Sequence, residues 1–217
     1  MNTFNGFPSE TAEFLFDLKF HNTISNEKEN LLKYKFLISE PLRQLYDELI
    51  PTVLKINTCF ETKPSRCIST PYTDRRFSHD VPLKEYMYIR FKYAGLQENI
   101  PGLYFDMGSD HYSYGLRIYR QNIKGMDRIR EKISQAPERF TEVLDRLADR
   151  GFSVIGESYK KGKAPGLPDC SAKSLYNLKG FYIGKNIEVG GNVFSKILAG
   201  EIKEGFIAVS EFLKLIL

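Results

Sequence analysis

The chain has 217 residues, 42% of them hydrophobic and 13% aromatic, and a formal charge of +4. That composition excludes a disordered chain, supplies one sizeable core and predicts a single domain. The net charge is too small to argue for nucleic-acid binding by itself.

In chain order, Ser9 is a good N-cap residue, and Glu10 and Glu13 sit where the helix dipole favours acids. With the stripe Phe14, Leu15 and Leu18 they predict a helix over about 9–20. The stretch 22–26 breaks it. A second helical pattern starts near Glu27 and carries Leu31, Leu32, Tyr34 and Leu37. Pro41 is expected to kink it or to begin a new segment with Leu42, Leu45, Tyr46, Leu49 and Val53.

From Cys59 the period changes. Pro64, Pro71 and Pro82 punctuate a polar loop that feeds three strand-like runs, 86–94, 102–107 and 112–119, joined by turns at 99–102 and 108–110. In the first run Met87, Ile89, Phe91 and Tyr93 share one face, and Tyr86, Tyr88, Arg90 and Lys92 the other. Leu103, Phe105 and Met107 alternate with Tyr104 and Asp106, and Tyr114, Leu116 and Ile118 with Gly115, Arg117 and Tyr119. The short connections imply antiparallel pairing.

The helical period returns at about 124–150, with Pro137 at an early helical position and Gly151 as C-cap. A strand at 152–159, a basic loop at 160–168, a short helix near 171–177 and a strand at about 179–187 follow. An apolar to amphipathic helix from Ile202 to Leu217 ends the chain and is expected to dock on the sheet. The expected class is α+β: an antiparallel sheet of about five to six strands flanked by N-terminal, central and C-terminal helices.

Charge is uneven along the chain. Residues 1–60 carry a net −2 and residues 117–163 a net +5, but in the second stretch acids interleave with bases at helical spacing, as on a solvated helix face. Cys59, Cys67 and Cys170 have no ligand spacing and are read as reduced, buried thiols. Polar residues after Met1 do not form a secretory signal, and every apolar stretch is short of the roughly 18 residues that span a bilayer. A cytoplasmic protein without a membrane partner is expected. The sequence indicates no oligomeric state.

The segment 74–82, Asp74-Arg75-Arg76-Phe77-Ser78-His79-Asp80-Val81-Pro82, ahead of a strand, resembles the central motif of the domain of unknown function 2461 family. The likeness spans nearly the whole chain. It includes Gly6-Phe7, the first helix, Asn22, Tyr34, Pro41, Lys84, Gly115, Ile129-Arg130-Glu131, Gly156, Lys160-Lys161, Pro168 and Leu178-Lys179-Gly180-Phe181. Thr73 stands where the family has an arginine, Val81 where it has a lysine and Leu83 where it has a tyrosine. The resemblance implies no reaction.

The residues themselves suggest two sites. Asp74, Arg76, Asp80 and Lys84, joined by Lys160 and Lys161 from the later loop, form an expected anion-binding cleft at the mouth of the sheet. Arg76 and Lys84 would hold a small phosphate or carboxylate and an aspartate would serve as base, in a binding protein or a hydrolase-like enzyme. Alternatively Tyr86, Tyr88, Arg90 and Lys92 form a face for single-stranded nucleic acid. A third reading is structural: the aspartates cap turns and pair with the arginines, with no catalytic site.

His21, His79 and His111 lack metal-ligand spacing, although Asp106, Asp110 and His111 could meet across a hairpin, so no metal site is expected. Ser78 beside His79 lacks a nucleophile elbow. The Lys160-Lys161-Gly162-Lys163 run lacks phosphate-loop spacing, and no cofactor is expected.

Overall fold

The computed structural model describes residues 3–74, 76, 80–94, 101–118, 123–163 and 166–217. The expected Ser78–His79 pair, the first part of the 99–102 turn and Tyr119 lie outside the described residues.

Helix α1 (Thr11–His21) starts one residue later than its expected cap suggests: Ser9 Oγ donates to Glu10, and Glu10 rather than Ser9 occupies the N-cap. Helix α2 (Glu27–Tyr34) runs through a widened π-type turn at 35–39 into α3 (Glu40–Ile56). Pro41 sits in the first turn of α3, so the new segment expected at this proline is the helix that carries Leu42, Leu45, Tyr46, Leu49 and Val53. The proline's missing N–H would have bonded the carbonyl of Leu37, and the hydroxyl of fully buried Thr11 donates to that carbonyl instead, at 2.9 Å. A short turn, α4 (Pro64–Cys67), follows.

Strands β1 (Met87–Lys92), β2 (Pro101–Met107) and β3 (His111–Ile118) are the three runs expected. Pro101 and Gly102 belong to β2 rather than to a turn. Proline is tolerated at a first strand position, where Pro101 still accepts from Tyr93 through its carbonyl. Helices α5 (Ile123–Gln135) and α6 (Pro137–Asp149) lead to β4 (Ser153–Ser158), α7 (Ser171–Tyr176), β5 (Leu178–Glu188) and α8 (Ile197–Ile216). Gly151, at φ +80°, ends α6 as expected.

The five strands pair antiparallel throughout in the order β1-β2-β3-β5-β4, so the class is α+β. Helices cover one face. Phe91 of β1 stacks on Tyr46 of α3 and meets Phe206 of α8 edge-on, while Phe181 of β5 and Phe140 of α6 both meet Phe212 of α8. Burying each of these rings is worth about 2–3 kcal/mol. Lys203 and Glu48 tie α8 to α3 at 2.8 Å.

The two edges of the sheet differ. Bridges from Phe60 and Ile68 cover the outer side of β1, whereas β4 has β5 as its one strand neighbour among the described residues. Of the three thiols only Cys67 is buried; Cys59 is exposed and Cys170 half-buried, which corrects the expectation for both. Among the described residues no helix is long and apolar enough to cross a membrane.

Candidate functional site

The alternation that sends Met87, Ile89 and Phe91 into the core sends Tyr88, Arg90 and Lys92 to the opposite face of the sheet, as the sequence predicts. Register then builds rows across that face, because residues opposite one another in an antiparallel pair share a side. One row runs Tyr88, Asp106, Ser113, Asn186. The next runs Arg90, Tyr104, Gly115, Gly184, and the third Lys92, Gly102, Arg117, Tyr182.

Two glycines shape the middle row. A Cβ on Gly184 would sit 2.3 Å from Tyr104 Oη, so the Tyr104 side chain occupies the space that a residue with a side chain at position 184 would fill. Its hydroxyl hydrogen-bonds Ser113 Oγ at 2.9 Å, and its ring meets Tyr182 edge-on at 5.7 Å. Burial pushes the Tyr104 hydroxyl up to about 12.

Charge collects around this ring. The Arg90 guanidinium lies 3.8 Å above Tyr88, and that of Arg117 lies 4.4 Å above Tyr182. Arg90 Nη2 is 3.7 Å from Asp106 Oδ1, too long for a hydrogen bond, and Arg90 Nε and Asp106 Oδ1 are buried atoms without hydrogen-bond partners among the described residues. Lys84 sits beside them. Its ammonium, 5.5 Å from the Tyr88 ring, donates to the carbonyl and hydroxyl of Thr70, both neutral. Burial, and secondarily the charge of Arg90, lowers the Lys84 pKa.

Burial raises the Asp106 carboxyl above its usual range despite the opposing pull of Arg90 and Arg117. A carboxyl whose folded pKa exceeds its unfolded one costs stability once it ionises. The cost is absent below the ordinary carboxylate range, grows through the interval up to the raised pKa, and is complete above it. Asp106→Asn is therefore expected to be more stable than the parent at neutral pH, with the difference closing below about pH 3. Denaturant melts at both pH values check the sign; a less stable variant at neutral pH would refute it.

The residues expected to form the cleft separate. Asp74 and Arg76 pair with each other at 2.6 Å on an exposed turn, where the Arg76 guanidinium holds the Asp74 carboxyl down at about 2. Asp80 is exposed on the same loop. Thr73 N and Pro82 O close that loop, and Asn22 anchors its base, donating to Leu83 O and accepting from Leu83 N.

Lys84 turns from this group to the Tyr88–Arg90 pair. Lys160 and Lys161 are exposed beyond the end of β4, which runs in the same direction as β1 at the other edge of the sheet. Lys84 precedes β1, so these lysines occupy the diagonal corner, with about 19 Å of strand spacings between the two edges. Asp110 and His111 are 3.4 Å apart at the hairpin, while Asp106 lies by Arg90 in the sheet. Among the described residues no group of three His, Cys, Asp or Glu could hold a metal.

Tyr104, Asp106, Ser113, Arg117 and Tyr182 are the functional candidates that motif reading passes over. Their signal is parity: each falls on the non-core alternation of its strand.

Comparison with curated proteins and with solved structures finds no match. The family model for the conserved hypothetical protein DUF2461 matches residues 10–214, nearly the whole fold that carries this face, and the chain belongs to that family.

Proposed function

We propose that the polar face of the sheet binds a small oxyanion, a phosphate or carboxylate group, between Lys84 and Arg90, with Arg117 flanking. The observation that carries this reading is that Lys84 and Arg90 are close enough for one charge to depress the other's pKa, while among the described residues Lys84 makes no ion pair and Arg90 has only Asp106, at a non-bonding 3.7 Å. Two cations partly withdrawn from water, of which one has an imperfectly placed carboxylate, gain from a ligand that brings negative charge and acceptor oxygens. Arg90 Nε supplies an unused donor. The raised pKa of Asp106 makes it the acid–base group on this face, which is the form a hydrolase-like activity would take.

Calorimetric titration with inorganic phosphate and with succinate tests the reading. Arg90→Ala is expected to weaken binding about tenfold or more, and Asp106→Asn to strengthen it by removing the competing carboxylate. Unchanged affinity in Arg90→Ala would sink it.

A single-stranded nucleic-acid reading keeps one specific observation, the exposed Tyr86 ring stacked 6.2 Å from Tyr88. Arg90 already covers one face of Tyr88, so Tyr86 would have to supply the base stacking. Salt-dependent oligonucleotide binding lost on Tyr86→Ala would favour this second reading over the first.

A further inference from the structure

At the far corner of the sheet all six residues of β4 are exposed, including Val154 at 40% and Ile155 at 53%. An edge strand with apolar side chains in water is a feature that proteins generally cover or blunt, as bridges from Phe60 and Ile68 do for β1. Beside β4 lies a groove of about 600 Å³. Every second residue of the strand, Val154, Gly156 and Ser158, lines one wall, and Ser171, Ser174 and Leu175 of α7 line the other.

At the C-terminal end of β4 the chain turns into Lys160-Lys161-Gly162-Lys163. Lys160 and Lys161 are exposed and make no ion pair among the described residues, and Lys163 lies 4.1 Å from the Tyr159 ring. Neighbouring cations are already matched, Lys179 to Glu157, Lys173 to Asp169 and Arg130 to Asp127. The positive charge left at the groove's end is that of the lysine run.

The geometry points to β4 as a docking edge for an extended acidic peptide segment of a partner protein, which adds to the sheet as a sixth strand. Backbone groups of the peptide pair with the outer edge of β4, alternate apolar side chains enter the groove against Val154 and Leu175, and its acidic residues meet Lys160, Lys161 and Lys163. The site is independent of the proposed anion-binding pair, since Lys84 and Arg90 lie at the β1 edge and β4 is the opposite edge of the sheet.

The test is fluorescence anisotropy on the full chain with a labelled peptide in which an Asp tract precedes Val alternating with Thr, the order that brings the tract to the lysine run when the peptide pairs antiparallel to β4. Saturable binding is expected, weakened about tenfold in the double variant Lys160→Glu, Lys161→Glu. Binding is expected to vanish when alternate peptide amides are N-methylated, which removes ladder donors and leaves the side chains in place. Both lysines are exposed, so the variant keeps the fold. Absence of binding up to about 1 mM peptide overturns the proposal, as does equal binding of the N-methylated peptide or of one with a Lys tract in place of the Asp tract. A dimer formed through β4 that the Asp-tract peptide does not dissociate overturns it in favour of a second copy of this chain.

Discussion

Gly115→Ala is expected to destabilise the protein by about 3 kcal/mol or more. Gly115 sits in the middle of β3 at φ +155°, and a Cβ there would lie 2.1 Å from the carbonyl oxygen of Ile183 and 2.8 Å from Gly184 Cα. Both obstacles are backbone of β5, the strand that β3 pairs with from His111 to Ile118. A flexible side chain could swing aside; a paired strand cannot without giving up hydrogen bonds on both sides of the contact. In a chain of this size the loss corresponds to a fall in melting temperature of roughly 6–12 °C. Gly191→Ala, where a Cβ meets nothing within 4 Å, is the matched control and is expected to stay within about 0.5 kcal/mol. Equal melting temperatures for the two variants would show that β3 and β5 can part locally at little cost, contrary to this account.

The same substitution carries a functional consequence. Gly115 separates Tyr104 from Gly184 in the row that holds the Tyr104 ring, and Tyr104 in turn separates Gly115 from Arg90. Displacing β3 from β5 moves Arg117 and Tyr182 relative to each other, because they are register partners across that pair. Phosphate affinity is therefore expected to fall with stability in Gly115→Ala, whereas Arg90→Ala, at a half-buried position on the polar face, is expected to lower affinity with the β3–β5 pairing intact and a smaller change in melting temperature. Comparing the two separates loss of the binding groups from loss of the surface that positions them.

How far the sequence reveals such a surface depends on whether its information is local. The alternation in β1 is local, so Tyr88, Arg90 and Lys92 are legible as one face before any pairing is known. Asp106 and Arg117 are legible as members of their strands' polar parity, but the approach of Arg90 and Arg117 to Asp106 depends on register, which neighbouring residues do not encode. The diagonal separation of Lys84 from Lys160 depends on strand order. β5 enters between β3 and β4, and a reading by chain proximity has no means of placing that insertion.

Local signals also fall short where a group finds a partner other than the one they suggest. Pro41 marks the start of α3 as its fixed φ suggests, but the carbonyl of Leu37 that it leaves without a donor is satisfied by Thr11, distant in sequence. Asp74 and Arg76 are sound reasons to expect an ion-binding cluster, and they satisfy each other two residues apart. Exposed pairs of that kind contribute little to stability.

Arg130→Met is expected to cost about 3 kcal/mol although it replaces a charge with an apolar side chain of similar length. Arg130 is 5% exposed in α5, within a stretch that reads from sequence as a solvated helix face. Its Nε donates to the carbonyl of Tyr176 at 3.0 Å and its Nη2 to that of Leu178 at 2.6 Å, so one guanidinium terminates α7 and starts β5. Asp127, its ionic partner, is 61% exposed and can return to water when the arginine is gone. The two carbonyls cannot do so as readily, and each buried acceptor left without a donor costs about 1–3 kcal/mol. Arg130→Lys keeps the charge but supplies a single ammonium in place of the planar fork, so it is expected to recover only part of the loss. Denaturant unfolding of the three proteins decides the matter: a methionine variant as stable as the parent would mean that the junction is held by the packing of Leu175 and Leu178 and that the hydrogen bonds of Arg130 are dispensable.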